Sequence, residues 1–346
     1  MKPESAKPNI TKAEILWTRI CSLKCSYCAM VDGRRNTVCL EDWERGLSQL
    51  KKLGCSFLAF YGAEPLDDFD KLPEVIFTAE LAGMHTTVIT SGVTSCLYEK
   101  LKILYEHGLR SITASYDDVS FDKSSRIKSV QASQVINTFR SFGPVRDSAV
   151  VVTLTRDNYE RLPDIIKQMS EQKIWTFFDL IHPNRGQAGS KVKDTDLDLL
   201  FRKEDFPPLI DVLKEVMVLK DQGFLCHTSK QYVETMKIIA AYVTALENFT
   251  HLSPYLLWNC AVADCFPSWV TVDCDGTVYP CDDWQPKNQT LIKIWEIYDL
   301  WDLFSTKWKD VTKKECPGCL WGTHIDSHLV KQNLLPLDNY IHGIKE

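Results

Sequence analysis

Short runs of β-branched and aromatic residues alternate with longer stretches of helical period from about residue 14 to residue 182. Residues 14–20, 56–61, 86–90, 110–116, 148–155 and 175–181 have the length and side chains that suit a pleated, half-buried surface, which predicts strands. Residues 40–53, 72–82, 95–107, 129–142 and 159–172 repeat apolar positions every three or four residues, which predicts amphipathic helices. Parallel strands need long crossovers, and a helix between each pair of strands supplies them with the usual right hand. A further helix, 207–222, follows the sixth strand after a polar loop containing Pro183-Asn184-Arg185-Gly186. No turn-rich linker divides this stretch, so it reads as one domain.

Beyond residue 223 the rhythm changes. A helix at 230–248 precedes a Trp- and Cys-rich region in which 268–272 and 277–280 flank Asp273-Cys274-Asp275-Gly276. An Asp-Gly between β-branched runs predicts a hairpin. A helix at 294–308 then leads to Cys316-Pro317-Gly318-Cys319.

The composition, with 45% hydrophobic and 25% charged residues over 346 positions, is that of a globular chain with a sizeable core. A formal net charge of −6, without Lys/Arg runs beyond short pairs, argues against a nucleic-acid partner, which asks for a clustered basic face. Met1-Lys2-Pro3-Glu4-Ser5 lacks the apolar stretch of a secretory signal, and no run approaches the ~20 apolar residues of a membrane helix. A cytoplasmic protein with no membrane partner is therefore expected.

The 13 cysteines fall unevenly. Cys21, Cys25 and Cys28 lie within eight residues, and Cys260, Cys265, Cys274, Cys281, Cys316 and Cys319 crowd the C-terminal region. In a reducing compartment such clusters are more often metal ligands than disulfides. Cys39, Cys55, Cys96 and Cys226 are scattered and read by default as buried apolar thiols.

The Cys21-x-x-x-Cys25-x-x-Cys28 spacing directly follows the first predicted strand, on the sheet edge where α/β active sites gather. Three thiolates can hold three irons of a cubane and leave the fourth open, whereas zinc asks for a fourth ligand. This motif, with Tyr27 before its last cysteine, resembles the radical S-adenosylmethionine (SAM) superfamily. The resemblance implies a [4Fe-4S] cluster whose open iron chelates SAM, and reductive cleavage to a 5′-deoxyadenosyl radical that abstracts a substrate hydrogen. It implies that Tyr27 contacts the adenine. Further segments are similar to that family in the same order. Gly62-Ala63-Glu64-Pro65 resembles its G-G-E-P segment, expected at the SAM amino group, with Ala63 in place of the second glycine. An alanine there disfavours a positive φ. Thr90-Ser91-Gly92 resembles its T-N-G turn. Ser115-Tyr116-Asp117 resembles its S-x-D, expected at the ribose or carboxylate. The strand around Val152, with Asn158 beyond it, resembles the one whose backbone lies along the adenine.

Cys265, Gly276, Cys281 and the Cys316-x-x-Cys319 pair resemble the auxiliary-cluster appendage called SPASM or, in shortened form, twitch. That implies one auxiliary [4Fe-4S] cluster, with Cys260 as an alternative to Cys265 and Cys274 as a bystander. A structural zinc site on the same cysteines is the competing reading. The resemblance makes the expected fold an α/β partial (β/α)6 barrel with a small C-terminal α+β domain. The expected division is a barrel over 11–225, a connecting helix over 226–254, the auxiliary domain over 255–325 and a tail over 326–346. His182, Asn184 and Arg185, after the sixth strand, are candidate substrate contacts, and no catalytic acid or base stands out.

Three functions compete. A single auxiliary cluster, and the dozen or so residues before the first strand, favour oxidation or rearrangement of a small molecule. The alternative is a peptide maturase that modifies or cross-links a residue. A non-catalytic iron–sulfur electron carrier is the reading of another class. An enzyme of either kind would take electrons from a low-potential donor such as flavodoxin or ferredoxin.

Overall fold

The computed structural model describes residues 10–25, 27–28, 30–117, 123–183, 191–192, 198–248, 269–281, 291–303 and 305–306. Six strands, β1 (Lys12–Thr18), β2 (Phe57–Gly62), β3 (His85–Thr90), β4 (Ser111–Tyr116), β5 (Asp147–Leu154) and β6 (Trp175–Leu180), pair in sequence order, all parallel. The crossovers are α1 (Leu40–Lys52), α2 (Leu72–Leu81), α3 (Leu97–Glu106), α4 (Lys123–Ser141) and α5 (Leu162–Glu171). After β6 come a two-residue parallel pair, β7 (His182–Pro183) with β8 (Lys191–Val192), and helices α6 (Phe206–Asp221) and α7 (Lys230–Ala245). The sheet curves as an α/β half-barrel and does not close.

Local chemistry explains most boundaries. Pro73, Pro163 and Pro207 stand in the first turns of α2, α5 and α6, where a missing N–H costs nothing. Ser229 caps α7, its hydroxyl accepting from the Tyr232 N–H at 2.8 Å. Two boundaries differ from the sequence pattern. The turn Tyr159–Arg161 is 3-10 rather than α, because Pro163 removes an early donor of α5. Helix α4 starts at Lys123, six residues before the predicted start at 129. Its added turns are poor in apolar residues but carry Lys128, whose buried ion pair holds them.

The larger departure lies at the other end. The expected hairpin forms, as β9 (Trp269–Val272) and β10 (Thr277–Tyr279), with β11 (Ile292–Lys293) beside it. The hairpin extends the main sheet. β9 pairs parallel to β1, so the sheet runs β11-β10-β9-β1-β2-β3-β4-β5-β6. The helix expected at 294–308 begins as a 3-10 turn, Ile294–Glu296, packed on α1. Gln49 of α1 donates to the Trp295 carbonyl at 2.6 Å and accepts from the Tyr298 N–H at 2.8 Å. At the opposite edge, residues 225–227 add to β6. Thr176 N–H donates to the Leu225 carbonyl at 3.0 Å, and His227 N–H to the Thr176 carbonyl at 2.9 Å.

The main core lies between the sheet and its helices. Trp17 stacks on Trp43 at 5.5 Å and meets Phe60 edge-on at 5.9 Å, which fastens α1 to β1 and β2. Among the described residues no helix is long and apolar enough to cross a membrane.

Gly46 is the contact point of α1 with the C-terminal segment, since a Cβ there would stand 2.8 Å from Ile294 Cγ1. Gly46→Leu should therefore lower stability by about 1–3 kcal/mol through overpacking, read by urea denaturation. No loss would mean that this segment does not seat on α1.

Candidate active site

The C-terminal ends of β1, β2, β3 and β4 converge on the three-cysteine loop, and hydrogen bonds set that edge. At Gly62 the backbone has φ +150°, and a Cβ would lie 2.4 Å from the Thr18 carbonyl, so only glycine lets β2 pass β1 so closely. Ala63 and Glu64 continue the pairing, their N–H groups donating to Thr18 and Ile20 at 3.0 Å each. The positive φ of the segment falls on Gly62 and not on Ala63, so alanine is tolerated there. Gly92, at φ +71°, leaves the space that Val135 of α4 fills, where a Cβ would meet it at 2.2 Å.

Glu64 is fully buried and accepts four hydrogen bonds. Oε1 receives the Leu66 N–H at 3.1 Å and the Thr90 hydroxyl at 2.6 Å. Oε2 receives the Ser91 N–H at 2.8 Å and the Ser91 hydroxyl at 2.5 Å. Burial raises its pKa above the ordinary glutamate value, only partly opposed by these donors. Its carboxylate thus laces β2 to β3. Asp67 ties the cysteine loop to the same edge, accepting from the Ser22 N–H at 3.3 Å and the Thr94 hydroxyl at 2.7 Å.

A cavity of about 340 Å³ runs along the inner face of the sheet. Cys21, Cys25, Tyr27, Cys28, Gly62, Ala63, Ser91 and Ser115 line its upper end. Lys12, Glu14, Phe57, Asp147 and Trp175 line its lower end, so it follows β1 over about 20 Å at ~3.3 Å per residue. Side chains alternate across a strand, so β5 presents Val151 and Thr153 to the cavity and turns Val152 to the helices. Pro65 is buried beneath the edge.

Tyr27 and Lys128 form one wall. The Tyr27 hydroxyl donates to Asp117 Oδ2 at 2.6 Å, and Lys128 Nζ contacts both Asp117 Oδ2 and the Tyr27 hydroxyl. Lys128 also lies 5.0 Å over the Tyr27 ring. Burial, then the Asp117 carboxylate, push the Tyr27 pKa well above its ordinary value. Burial works against the ammonium of Lys128, but Asp117 and Tyr27 outweigh it, and its pKa stands well above the usual lysine value. Asp117 therefore fixes this wall through both of its partners.

Sequence reasoning missed Lys128, Asp179 and His227, all of which line the cavity. Asp179 was legible, as an inward position of a recognised strand. The others were not, because α4 was started too late and residues 224–228 carry no strand pattern. His227 stacks on Phe177 at 4.3 Å, and burial, then Lys220, bring its pKa down to about 4. His182 lies in β7, and Asn184 and Arg185 lie outside the described residues. So do Cys260, Cys265, Cys316 and Cys319. Cys281 is described and buried, directly after β10, and Cys274 is buried in the β9–β10 turn. Cys55 and Cys226 are buried as expected, but Cys39 and Cys96 are exposed, each at the N-cap of a helix on the outer surface.

The cysteine loop fits an iron–sulfur cluster. Cys21, Cys25 and Cys28 share the mouth of one cavity. In a cubane each of these thiolates would take its own iron. Burial pushes the Cys21 thiol up to about 12, so iron binding would supply the charge that deprotonates it.

A parallel half-barrel with three thiols and a lysine at one end of its cavity is an arrangement suited to holding a metal cluster there. Comparison with known proteins makes this specific. The model of the radical SAM superfamily matches residues 15–169. Over 162 residues the chain is 30% identical to the PqqA peptide cyclase of Bradyrhizobium diazoefficiens, covering 44% of this chain and 41% of that protein. The chain thus spans about two fifths of that relative's length. Streptococcus suis SuiB bound to its precursor peptide SuiA superposes with a TM-score of 0.61 at 18% identity, over 90% of this chain and 67% of that one. The structure of anSMEcpe with bound AdoMet and Cp18Cys peptide superposes with a TM-score of 0.60 at 15% identity, over 90% of this chain and 86% of that one. At such identities the likeness to the solved structures is one of fold. Residues 15–169, a little under half of the chain, form a radical SAM domain. That domain implies a [4Fe-4S] cluster and SAM as its cofactors.

Glu64→Gln should cost about 1–3 kcal/mol at neutral pH, because an amide cannot accept from the N–H groups of both Leu66 and Ser91. An unchanged urea midpoint would show that the four bonds do not coexist. His227 offers a second check. Its pKa falls on folding, so the folded state resists protonation and stability drops as pH falls from about 6.5 towards about 4. His227→Phe keeps the stacking and should lose less stability between pH 7 and pH 4.5 than the parent protein. Equal losses would mean that the imidazole stays hydrated.

Proposed function

We propose that this protein is a radical SAM enzyme that modifies a residue of a peptide, by cross-linking or a related oxidation. The observation that carries the reading is the cavity joining the three-thiol mouth to the lower end of the half-barrel, lined by more apolar than polar surface. The peptide in place of the small molecule first favoured is supported by the similar proteins, a PqqA peptide cyclase and two structures holding peptides. When bound, the cluster and SAM would supply the radical that removes a hydrogen atom from the substrate.

The chain's own residues would do the rest. Cys21, Cys25 and Cys28 would ligate three irons. The backbone edge at Gly62 and Ala63, with the hydroxyls of Ser91 and Ser115, would orient SAM. Tyr27 would bear on its adenine, with Asp117 and Lys128 fixing that ring. The β5 segment around Val152 would run along the base through its backbone. The apolar wall of Val151, Phe177 and Ile181 would keep water from the reacting carbon. Cys265 or Cys260, with Cys281, Cys316 and Cys319, would hold an auxiliary [4Fe-4S] cluster in the domain over 255–325, taking the second electron of the oxidation. His182, Asn184 and Arg185 would meet the substrate at the mouth. A low-potential donor such as flavodoxin or ferredoxin, in the cytoplasm, would supply the first electron.

Anaerobic reconstitution should yield about eight irons per chain and no zinc, as two four-iron clusters require. With dithionite and SAM the protein should release 5′-deoxyadenosine, and Cys25→Ala should abolish this. Co-expression with short peptides encoded beside the gene should lower the mass of one of them by two hydrogens. Turnover of an amino sugar with every peptide unmodified would return the reading to a small molecule. About four irons with one zinc would reduce the C-terminal cysteines to a structural staple.

A further inference from the structure

The segment from Arg19 to Arg34 carries all three cysteines of the first motif and is closed at its neck. Arg19 N–H donates to the Arg34 carbonyl at 2.8 Å, and the N–H groups of Asp32 and Gly33 both donate to the Arg19 carbonyl at 3.1 Å. The Thr18 hydroxyl adds a bond to the Arg34 carbonyl at 3.2 Å. Both arginines of the neck then reach one carboxylate, that of Asp273 in the β9–β10 turn. Arg19 meets it with two bonds, Nε to Oδ1 at 3.1 Å and Nη2 to Oδ2 at 2.9 Å. Arg34 Nη1 meets Oδ2 at 3.4 Å. The side chains of Arg19 and Asp273 are each only 4% exposed, so the pair is shielded from solvent.

The turn that presents Asp273 is itself fixed. Its backbone N–H donates to the Thr277 carbonyl at 2.9 Å and its carbonyl accepts from Gly276 at 2.8 Å. The Cys274 N–H donates to Asp273 Oδ1 at 2.8 Å, and the Cys274 carbonyl accepts from Thr37 at 3.0 Å. Gly276, at φ +79°, sits against Trp295, where a Cβ would stand 2.6 Å from the ring. The carboxylate is thus held by the C-terminal segment and acts on a loop 254 residues earlier in the chain.

We propose that Asp273 is a positioning residue for the first cysteine motif: through Arg19 and Arg34 it sets where the loop leaves β1 and hence where the thiols stand. The inference rests on the reading that Cys21, Cys25 and Cys28 hold the SAM-binding cluster. It makes the C-terminal hairpin part of the first site, whatever the hairpin's own cysteines bind. A bidentate pair fixes direction as well as distance, which a point charge or an apolar contact does not.

The test uses the full chain, reconstituted anaerobically, with the electron paramagnetic resonance spectrum of the dithionite-reduced protein recorded with and without SAM. The SAM-induced spectral change reports the SAM-binding cluster alone. In Asp273→Asn it should fall about tenfold, in the range by which outer-shell changes weaken metal sites. Asp273→Glu, which keeps the carboxylate, should restore most of it. Removing one partner of a buried pair also destabilises the fold, so Arg19→Met with Asp273→Leu is made in parallel, replacing the pair with apolar groups of similar volume. That double variant should melt near the parent temperature and still lack the SAM response. A full response in it, or in Asp273→Asn, overturns the proposal. No SAM response in the parent protein would instead overturn the reading of the three cysteines.

Discussion

Parallel pairing of β1 with neighbours on both sides is the constraint on which the rest of the molecule depends. β1 bonds to β2 along one edge and to β9 along the other, and residues 269–272 lie in register with residues 12–15. Because both partners are parallel to β1, their C-terminal ends all reach the edge where the chain turns into Cys21. The cysteine loop, the Gly62–Glu64 segment and the Asp273 turn therefore meet at one place. Antiparallel return of β10 then carries the chain back, with Tyr279 opposite Thr271. Cys281 follows directly, so it lies towards the end of the sheet where β1 begins and the lower cavity lies. Cys281 and the first cysteine motif thus lie towards opposite ends of the sheet, with the cavity extending between those ends.

Buried polar groups hold the upper edge in one arrangement. Glu64 laces β2 to β3, Asp117 and Lys128 brace Tyr27, and Asp273 gathers Arg19 and Arg34. Apart from the half-exposed Arg34, these charges lie where water is scarce, and their partners come from separate segments of the chain. Such networks contribute little net stability compared with apolar packing of the same volume, but they penalise alternative placements. That is what a site needs when its loops must stay aligned while the rigid sheet beneath provides the stability.

Much of this was legible in the chain. Short β-branched and aromatic runs separated by amphipathic stretches identify the six parallel strands and their crossovers, since parallel strands need a long covering connection between them. The three-cysteine spacing after the first strand marks the mouth of the site, and Asp273-Cys274-Asp275-Gly276 marks the hairpin. What the chain alone does not show are contacts that the fold makes. The four donors to Glu64 come from residues brought together only by strand pairing. Val152 stands in a recognised strand, and the register decides that its neighbours Val151 and Thr153 face the cavity.

The sequence by itself determined the elements, their parallel order and the thiol chemistry, because these depend on residue type and short spacing. Only the tertiary structure decided that the hairpin joins the sheet beside β1, that Lys128 and His227 enter the cavity, and that Asp273 reaches Arg19 across 254 residues. These are pairings between distant segments. No local period encodes them, and they exist only once burial of the shared core has brought the segments together.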